Sequence, residues 1–230
     1  MRALTGNAAM LLSFDVAADA IDEHDDWHTH EHMPERLSIP GFMRGSRWVA
    51  LSGAPRYFVM YEVAQLGDLD SAAYLERLNN PTAWTIKMMP HYRGMTRGLC
   101  RVVDSFGLGI GQAALLLHFT PASGKQAVVH EWLTRQLLPD LASRPGLASA
   151  HLFETALTPR MTGEQSIRGK DASVDWALVV TGYRPDTVAS VSEHELSGER
   201  FAQHHAAQGR VRGIYRMEYS LADPELHRPR

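Results

Sequence analysis

The chain has 230 residues, 44% of them hydrophobic and 21% charged, with a formal net charge of −3. That is apolar material for one large globular domain or two small ones, without the basic excess that tracks a phosphate backbone, so nucleic acid is excluded as a partner class. A single cysteine, Cys100, excludes an intrachain disulfide framework and fits a reducing cytoplasm.

In chain order, Met1 to Phe14 contains a short apolar run with no cleavable signal pattern after it, and nowhere does an apolar run approach the roughly 20 residues of a membrane helix. Ala9 to Asp15 is of strand type. Residues 22–38 read as a helix, interrupted near its end by Pro34 and stopped by Pro40-Gly41. Phe42 to Leu51 and Arg56 to Val63 read as a hairpin around Ser52-Gly53-Ala54-Pro55. A helix is expected from Asp70 to Asn79, a further helical stretch from Pro81 through Met89, and a strand from Thr96 to Asp104. Val102 to Gln112 is a short, mildly glycine-rich joint, and its Gly107-Leu108-Gly109-Ile110-Gly111 lacks the Lys-Ser/Thr of a phosphate loop. Beyond it come a strand from Ala113 to Thr120, a helix over 125–143 and strands Leu147 to Thr155 and Val174 to Tyr183 around a longer loop, Leu157 to Ser173. A helix from Asp186 to His205, a strand from Val211 to Ser220 and a tail over 224–230 complete the chain.

The two halves resemble each other. Leu11, Leu12 and Phe14 meet Leu116, Leu117 and Phe119 at an offset of 105; Trp27 meets Trp132, Pro34 meets Pro139, and Pro40-Gly41 meets Pro145-Gly146. Near the ends the offset is 115, with Arg97 and Arg101 against Arg212 and Arg216, because the second half carries the longer loop. A repeat this long is domain-sized. Each half reads β-α-β-β-α-β, the ferredoxin-like order, whose antiparallel sheet has helices on one face and needs its other face covered. The expected fold class is therefore α+β: two tandem ferredoxin-like units, residues 1–106 and 112–223, packed sheet to sheet as an intrachain dimeric α/β-barrel with a pocket between the sheets.

The stretch Trp27-His28-Thr29-His30-Glu31-His32-Met33-Pro34-Glu35-Arg36-Leu37-Ser38-Ile39-Pro40-Gly41-Phe42 resembles the first-helix signature of EthD-like members of the dimeric α/β-barrel superfamily. Trp27, His32, Pro40 and Gly41 match it; the second half keeps Trp132, Pro145 and Gly146 but has Leu137 in place of the histidine. The resemblance implies the fold and a broad class of small-molecule proteins, among them cofactor-free monooxygenases, lactone isomerases, polyketide cyclases and haem-handling enzymes. A shared fold does not select among these activities.

The repeat acts as an internal control. On a helix, His24, His28 and His32 lie one above another, where the second half has Val129, Leu133 and Leu137. An apolar stripe of that kind faces the sheet or the barrel rim, so the imidazoles are expected to be at least partly buried, and a buried polar group persists when it is hydrogen-bonded or used. Three readings stay open at this level: a solvated helix face rich in histidine and acid, a metal site built on i, i+4 histidines, and acid–base chemistry at a pocket. The candidate catalytic residues are His28 and His32, with Glu31 and Glu35 as orienting carboxylates. Candidate substrate-binding residues are Ser13 and its counterpart His118 on the first strands, Tyr57 and Tyr61 sharing one strand face, and Arg101 and Arg216 as anion-binding guanidiniums. The sequence-level expectation is a cytoplasmic small-molecule enzyme without an organic cofactor, monomeric or homodimeric, moving protons on a small aromatic or enolisable carbonyl compound. The alternatives are a binding protein for a hydrophobic ligand or haem, and a histidine-ligated metalloenzyme using a divalent metal.

Overall fold

The computed structural model describes residues 3–226; the remainder of the expected tail, 227–230, lies outside the described residues, and its beginning joins a short helix, α10 (Asp223–Leu226). Eight strands form one closed antiparallel barrel in the order β1-β3-β2-β8-β5-β7-β6-β4. β1 (Ala8–Val16), β2 (Phe42–Ala54), β3 (Tyr57–Val63) and β4 (Tyr92–Gly107) come from the first half. β5 (Ala113–Pro121), β6 (Leu147–Leu157), β7 (Trp176–Gly182) and β8 (Ala206–Ala222) come from the second. Each half is a four-stranded sheet with its first strand internal, and the pairs β2·β8 and β4·β6 weld the two sheets into the barrel. Strand pairing explains two boundary differences. β4 runs into the expected joint, its Gly107 pairing with Ser149, and β8 starts before Val211, with Ala206 and Ala207 pairing to β5. β4 extends because its end finds a hydrogen-bonding partner across the halves, and β8 starts early because its first residues pair with β5 of its own half.

Strand alternation separates three apolar layers. Ala9, Leu11, Trp48, Phe58 and Met60 meet Leu116, Phe153, Val179 and Tyr215 between the two sheets. Trp48 stacks on Phe58 at a centroid distance of 4.9 Å. The space between the sheets is therefore a packed core at the level where a pocket was expected, because large aromatic side chains from both sheets fill it. On the outer face of each sheet lies a second layer: Phe14, Tyr57 and Tyr61 under Trp27, Met33 and Leu37 in the first half, and Phe119 and Leu178 under Trp132 and Leu133 in the second.

The helix expected over residues 22–38 is not continuous. α1 (Ile21–Trp27) passes into a π-turn, His28–His32, and then into α2 (Met33–Leu37). Proline supplies the reason: Pro34 has no N–H to give to the His30 carbonyl, and the preceding N–H, from Met33, reaches back five residues to the His28 carbonyl. The second half repeats the device with Pro139: α5 (Gln126–Trp132), a π-turn over Leu133–Leu137 in which Leu138 N–H bonds the Leu133 carbonyl, and α6 (Leu138–Ser143). An α-turn carries the fourth residue slightly past one rotation and the wider π-turn brings it slightly short, so the drifts oppose each other and His24, His28 and His32 stay on one face. Their rings form a ladder with centroids 5.6 Å apart at each step.

α3 (Ala72–Asn79) and α4 (Ala83–Met88) begin at Ser71 and Thr82, whose hydroxyls accept the N–H groups of Tyr74 and Thr85. In the second half the expected helix over 186–205 breaks into α8 (Pro185–Glu193) and α9 (Gly198–Gln203), the latter restarted by a Ser197 cap. The long loop expected over 157–173 contains a further helix, α7 (Gly163–Arg168), capped by Thr162. α7 belongs to the second half by sequence but packs on α3 and α4 of the first.

Candidate functional site

A cavity of about 30 Å³, room for little more than a water molecule, lies between the outer face of the first sheet and its helices. His28, His32 and Arg36 reach it from the α1–π–α2 segment, Tyr61 from β3, Arg97 from β4, and Glu164 and Arg168 from α7. Methionines Met10, Met89 and Met95 line it together with Leu12, Phe14, Tyr74, Leu78 and Tyr92. The unbranched methionine side chains re-pack at low cost, so the small chamber has walls able to admit a larger occupant.

Among the expected residues, His28 and His32 are together in this cavity, 1% and 7% exposed. Neither has a hydrogen-bond partner at Nδ1, while His28 Nε2 lies 3.4 Å from the Tyr61 hydroxyl. Burial is the main reason both imidazoles stay neutral, with pKa values well below the ordinary histidine value; Arg36 and neighbouring histidines push the same way. His24, also fully buried, is satisfied on both nitrogens, by Asp25 at 3.0 Å and by the Tyr92 hydroxyl at 3.2 Å. His30 is exposed and bonds back to the Asp26 carbonyl.

The two carboxylates expected to orient an imidazole do other work. Glu31 accepts from Trp27 Nε1 and from the Thr82 hydroxyl, fastening the first helix to α4. Glu35 faces Arg36 at 3.3 Å and Arg77 at 3.7 Å, and burial raises its pKa. The carboxylate that does hold a histidine is Asp25, adjacent in sequence to His24 and shared with the Tyr57 hydroxyl at 2.9 Å. Tyr57 and Tyr61 face the helix layer, and only Tyr61 reaches the cavity.

Ser13 and His118 do point between the sheets, but into packed core. Both are buried, and Ser13 Oγ and His118 Nε2 have no hydrogen-bond partner. Arg101 is exposed and paired with Glu154 at 3.0 Å, and Arg216 is exposed as well. Neither lines the cavity, because each lies farther along its strand than the helices reach. Arg101→Gln and Arg216→Gln are therefore expected to change stability by less than about 0.5 kcal/mol, measured by urea denaturation.

The guanidiniums of the site are Arg36, Arg97 and Arg168. Arg36 is fully buried and ion-paired with Glu164; burial opposes its charge and the carboxylate outweighs that, so the pKa rises. Arg168 is held by both oxygens of Asp171, at 3.0 and 2.7 Å. Arg97 lies 3.2 Å from the same carboxylate, yet its Nε–H is misaligned and makes no hydrogen bond. Arg36 was within reach of sequence reasoning, since it continues the 24-28-32 spacing by one more step. Arg97 sits four residues before Arg101 on the same strand. Glu164 and Arg168 carried only the weak signal of a helical i, i+4 pair inside a loop.

In the second half aromatic side chains fill the corresponding place. Phe119, Trp132 and Phe201 pack edge to face there, over Leu133, and Arg212, the counterpart of Arg97, bonds Ser192 instead. Among the described residues, no three histidine, cysteine, aspartate or glutamate side chains converge to hold a metal ion. A tetrapyrrole does not fit the cavity as it stands, since about 30 Å³ is far smaller than its ring system. No helix among the described residues is long and apolar enough to cross a membrane.

No protein-family model matches the chain, and no curated protein matches it. Among solved structures it is similar to an anthrone oxidase-like protein, with TM-score 0.68, 9% identity, and coverage of 97% of this chain and 96% of that one. It is similar to a candidate monooxygenase from Fusobacterium nucleatum, with TM-score 0.59, 8% identity, and coverage of 95% and 96%. A variant chlorite dismutase from Candidatus Nitrospira defluvii in complex with cyanide matches at TM-score 0.55 and 13% identity, over 96% and 94%. Identities this low speak to fold. The chain is an α+β protein with the closed eight-stranded, ferredoxin-like dimeric α/β-barrel architecture that these structures share.

Proposed function

We propose that the protein is a small-molecule enzyme that removes a proton from an enolisable or aromatic carbonyl compound, using His28 or His32 as the base and no organic cofactor. The observation that carries this reading is the pair of buried imidazoles, each with an unpartnered Nδ1, lining one cavity. A neutral imidazole held away from water is a competent acceptor, whereas a protonated one is not. With Nε2–H directed to the Tyr61 oxygen, His28 Nδ1 keeps its lone pair free for the substrate proton. Tyr61 stays protonated, because burial pushes its pKa up. The enolate or phenolate left behind is stabilised by the buried cations that line the cavity, Arg36, Arg97 and Arg168. Its later fate, isomerisation, ring closure or attack on dioxygen, depends on the substrate.

Anthrone is a suitable probe: its C10 methylene is acidified by two rings and a carbonyl, and one structural neighbour is named for its oxidation. Deuterium uptake at C10 in buffered D2O, followed by NMR, is expected to be catalysed by the protein. His28→Phe and His32→Phe keep the packing volume and are expected to slow uptake, by about a hundredfold for the variant that removes the base. A protein that exchanges neither anthrone nor other enolisable aromatic ketones, or two variants that both exchange at the unaltered rate, overturns the reading.

A further inference from the structure

Beside the His28/His32 chamber lies a larger groove of about 450 Å³. Tyr92, Met95 and Arg168 line both spaces and form the wall between them. The groove sits where the β2–β3 turn, the start of β4 and the segment after α7 meet. Its charged lining is of one sign: Arg168, Lys170 and Arg210, with no carboxylate. Lys170 and Arg210 are exposed and have no ion-pair partner among the described residues. Asp171, the acid adjacent in sequence, is turned inward and spent on Arg97 and Arg168.

The segment that carries Lys170 is held by the first half. Ala172 N–H bonds the Met95 carbonyl at 2.8 Å, and Arg97 N–H bonds the Ala172 carbonyl at 3.0 Å. Lys170 is thus fixed between the Arg168–Asp171 clasp on one side and this backbone pairing on the other. Met95, Pro55 and Val211 give the groove apolar ground beside the cations. An apolar body flanked by two unspent cations is complementary to one chemistry: an organic acid, with an anionic group on an aromatic or aliphatic frame.

We propose that this groove is the entrance subsite of the His28/His32 chamber and that it selects substrates bearing an anionic group on an apolar body. The inference rests on the proton-abstraction reading for what happens beyond Tyr92 and Met95, but not for the binding itself. The acid is anchored at Lys170 and Arg210, and the reacting part of the molecule passes the Met95 side chain toward the imidazoles.

The test uses two fluorescent molecules that share one frame, 8-anilinonaphthalene-1-sulfonate and its uncharged analogue N-phenyl-1-naphthylamine, titrated against the full chain at low salt. The sulfonate is expected to bind about tenfold more tightly. Lys170→Gln with Arg210→Gln is expected to abolish that preference while leaving the affinity for the uncharged analogue in place, and 0.5 M salt is expected to weaken the preference in the wild-type protein. Both residues are exposed, so the double variant is expected to keep the wild-type melting temperature. Equal affinities in the wild-type protein, or a preference that survives the double substitution, overturn the proposal. A sulfonate preference lost in the double variant, beside anthrone exchange indifferent to His28 and His32, would uphold the subsite and defeat the chemistry. The reverse pattern would do the opposite.

Discussion

Acidification from pH 7 to pH 5 is expected to destabilise this protein by about 4 kcal/mol or more, at a pH where most carboxylates are still ionised. Among the described residues five histidines are buried, and burial is the leading cause that lowers the pKa of each: His24, His28, His32, His118 and His151. A histidine whose folded pKa is depressed binds its proton more readily in the unfolded chain. Its contribution is therefore fully present above the unfolded value and lost as pH falls through the interval down to the folded value. That interval runs from 6.5 to about 4 for His118 and from 6.5 to about 3 for His151. At pH 5 each of these two has removed about 2 kcal/mol, and the three histidines of the first helix act in the same direction. Glu35, with its raised pKa, opposes them, but it is one half-buried group. Against a typical stability of about 5–15 kcal/mol, losses of this size leave little. Urea midpoints measured by circular dichroism at steps from pH 8 to pH 4.5 check the expectation. A midpoint unchanged down to pH 5 would contradict it, and His118→Leu should flatten the slope by one proton.

Replacing Glu164 by alanine is expected to destabilise the fold by about 3–5 kcal/mol, because it strands the Arg36 guanidinium without its main partner in a fully buried place. The effect crosses the halves: the residue removed is on α7, from the second half, and the charge exposed is on α2, from the first. Hydrogen exchange over Gly163–Arg168 should accelerate in the same variant, as α7 loses its anchor. Replacing both members, Arg36→Met with Glu164→Met, is expected to recover most of the lost stability, since a buried ion pair and an apolar pair of similar volume are close in free energy. A loss below about 1 kcal/mol in Glu164→Ala, measured by guanidinium denaturation, would show that Glu35 alone suffices for Arg36.

Much of the architecture was legible because it rests on short-range signals that recur. Proline at 34 and 139, Pro-Gly at 40–41 and 145–146, and apolar first strands mark the same element order twice, and the barrel has that order twice. The comparison of His24, His28 and His32 with Val129, Leu133 and Leu137 located a buried imidazole ladder, since equivalent helices dock alike on equivalent sheets. The π-turn was less legible: a proline announces a lost hydrogen bond but not which carbonyl the preceding N–H will choose.

What the sequence by itself determined, then, is the eight-strand order and the face of the first helix that carries the imidazoles, because periodicity and proline act within a few residues. Tertiary structure decided where the cavity lies and what closes it. Whether the inter-sheet space is a pocket or a core depends on how Trp48, Phe58, Phe153 and Tyr215 meet across the barrel, which no local pattern encodes. Whether a guanidinium serves the site depends on which strand positions the helices cover, so Arg97 is inside and Arg101 outside, though both point the same way from one strand. And Glu164 and Arg168 join residues more than 120 positions away on the first helix, a contact fixed only when the two sheets close.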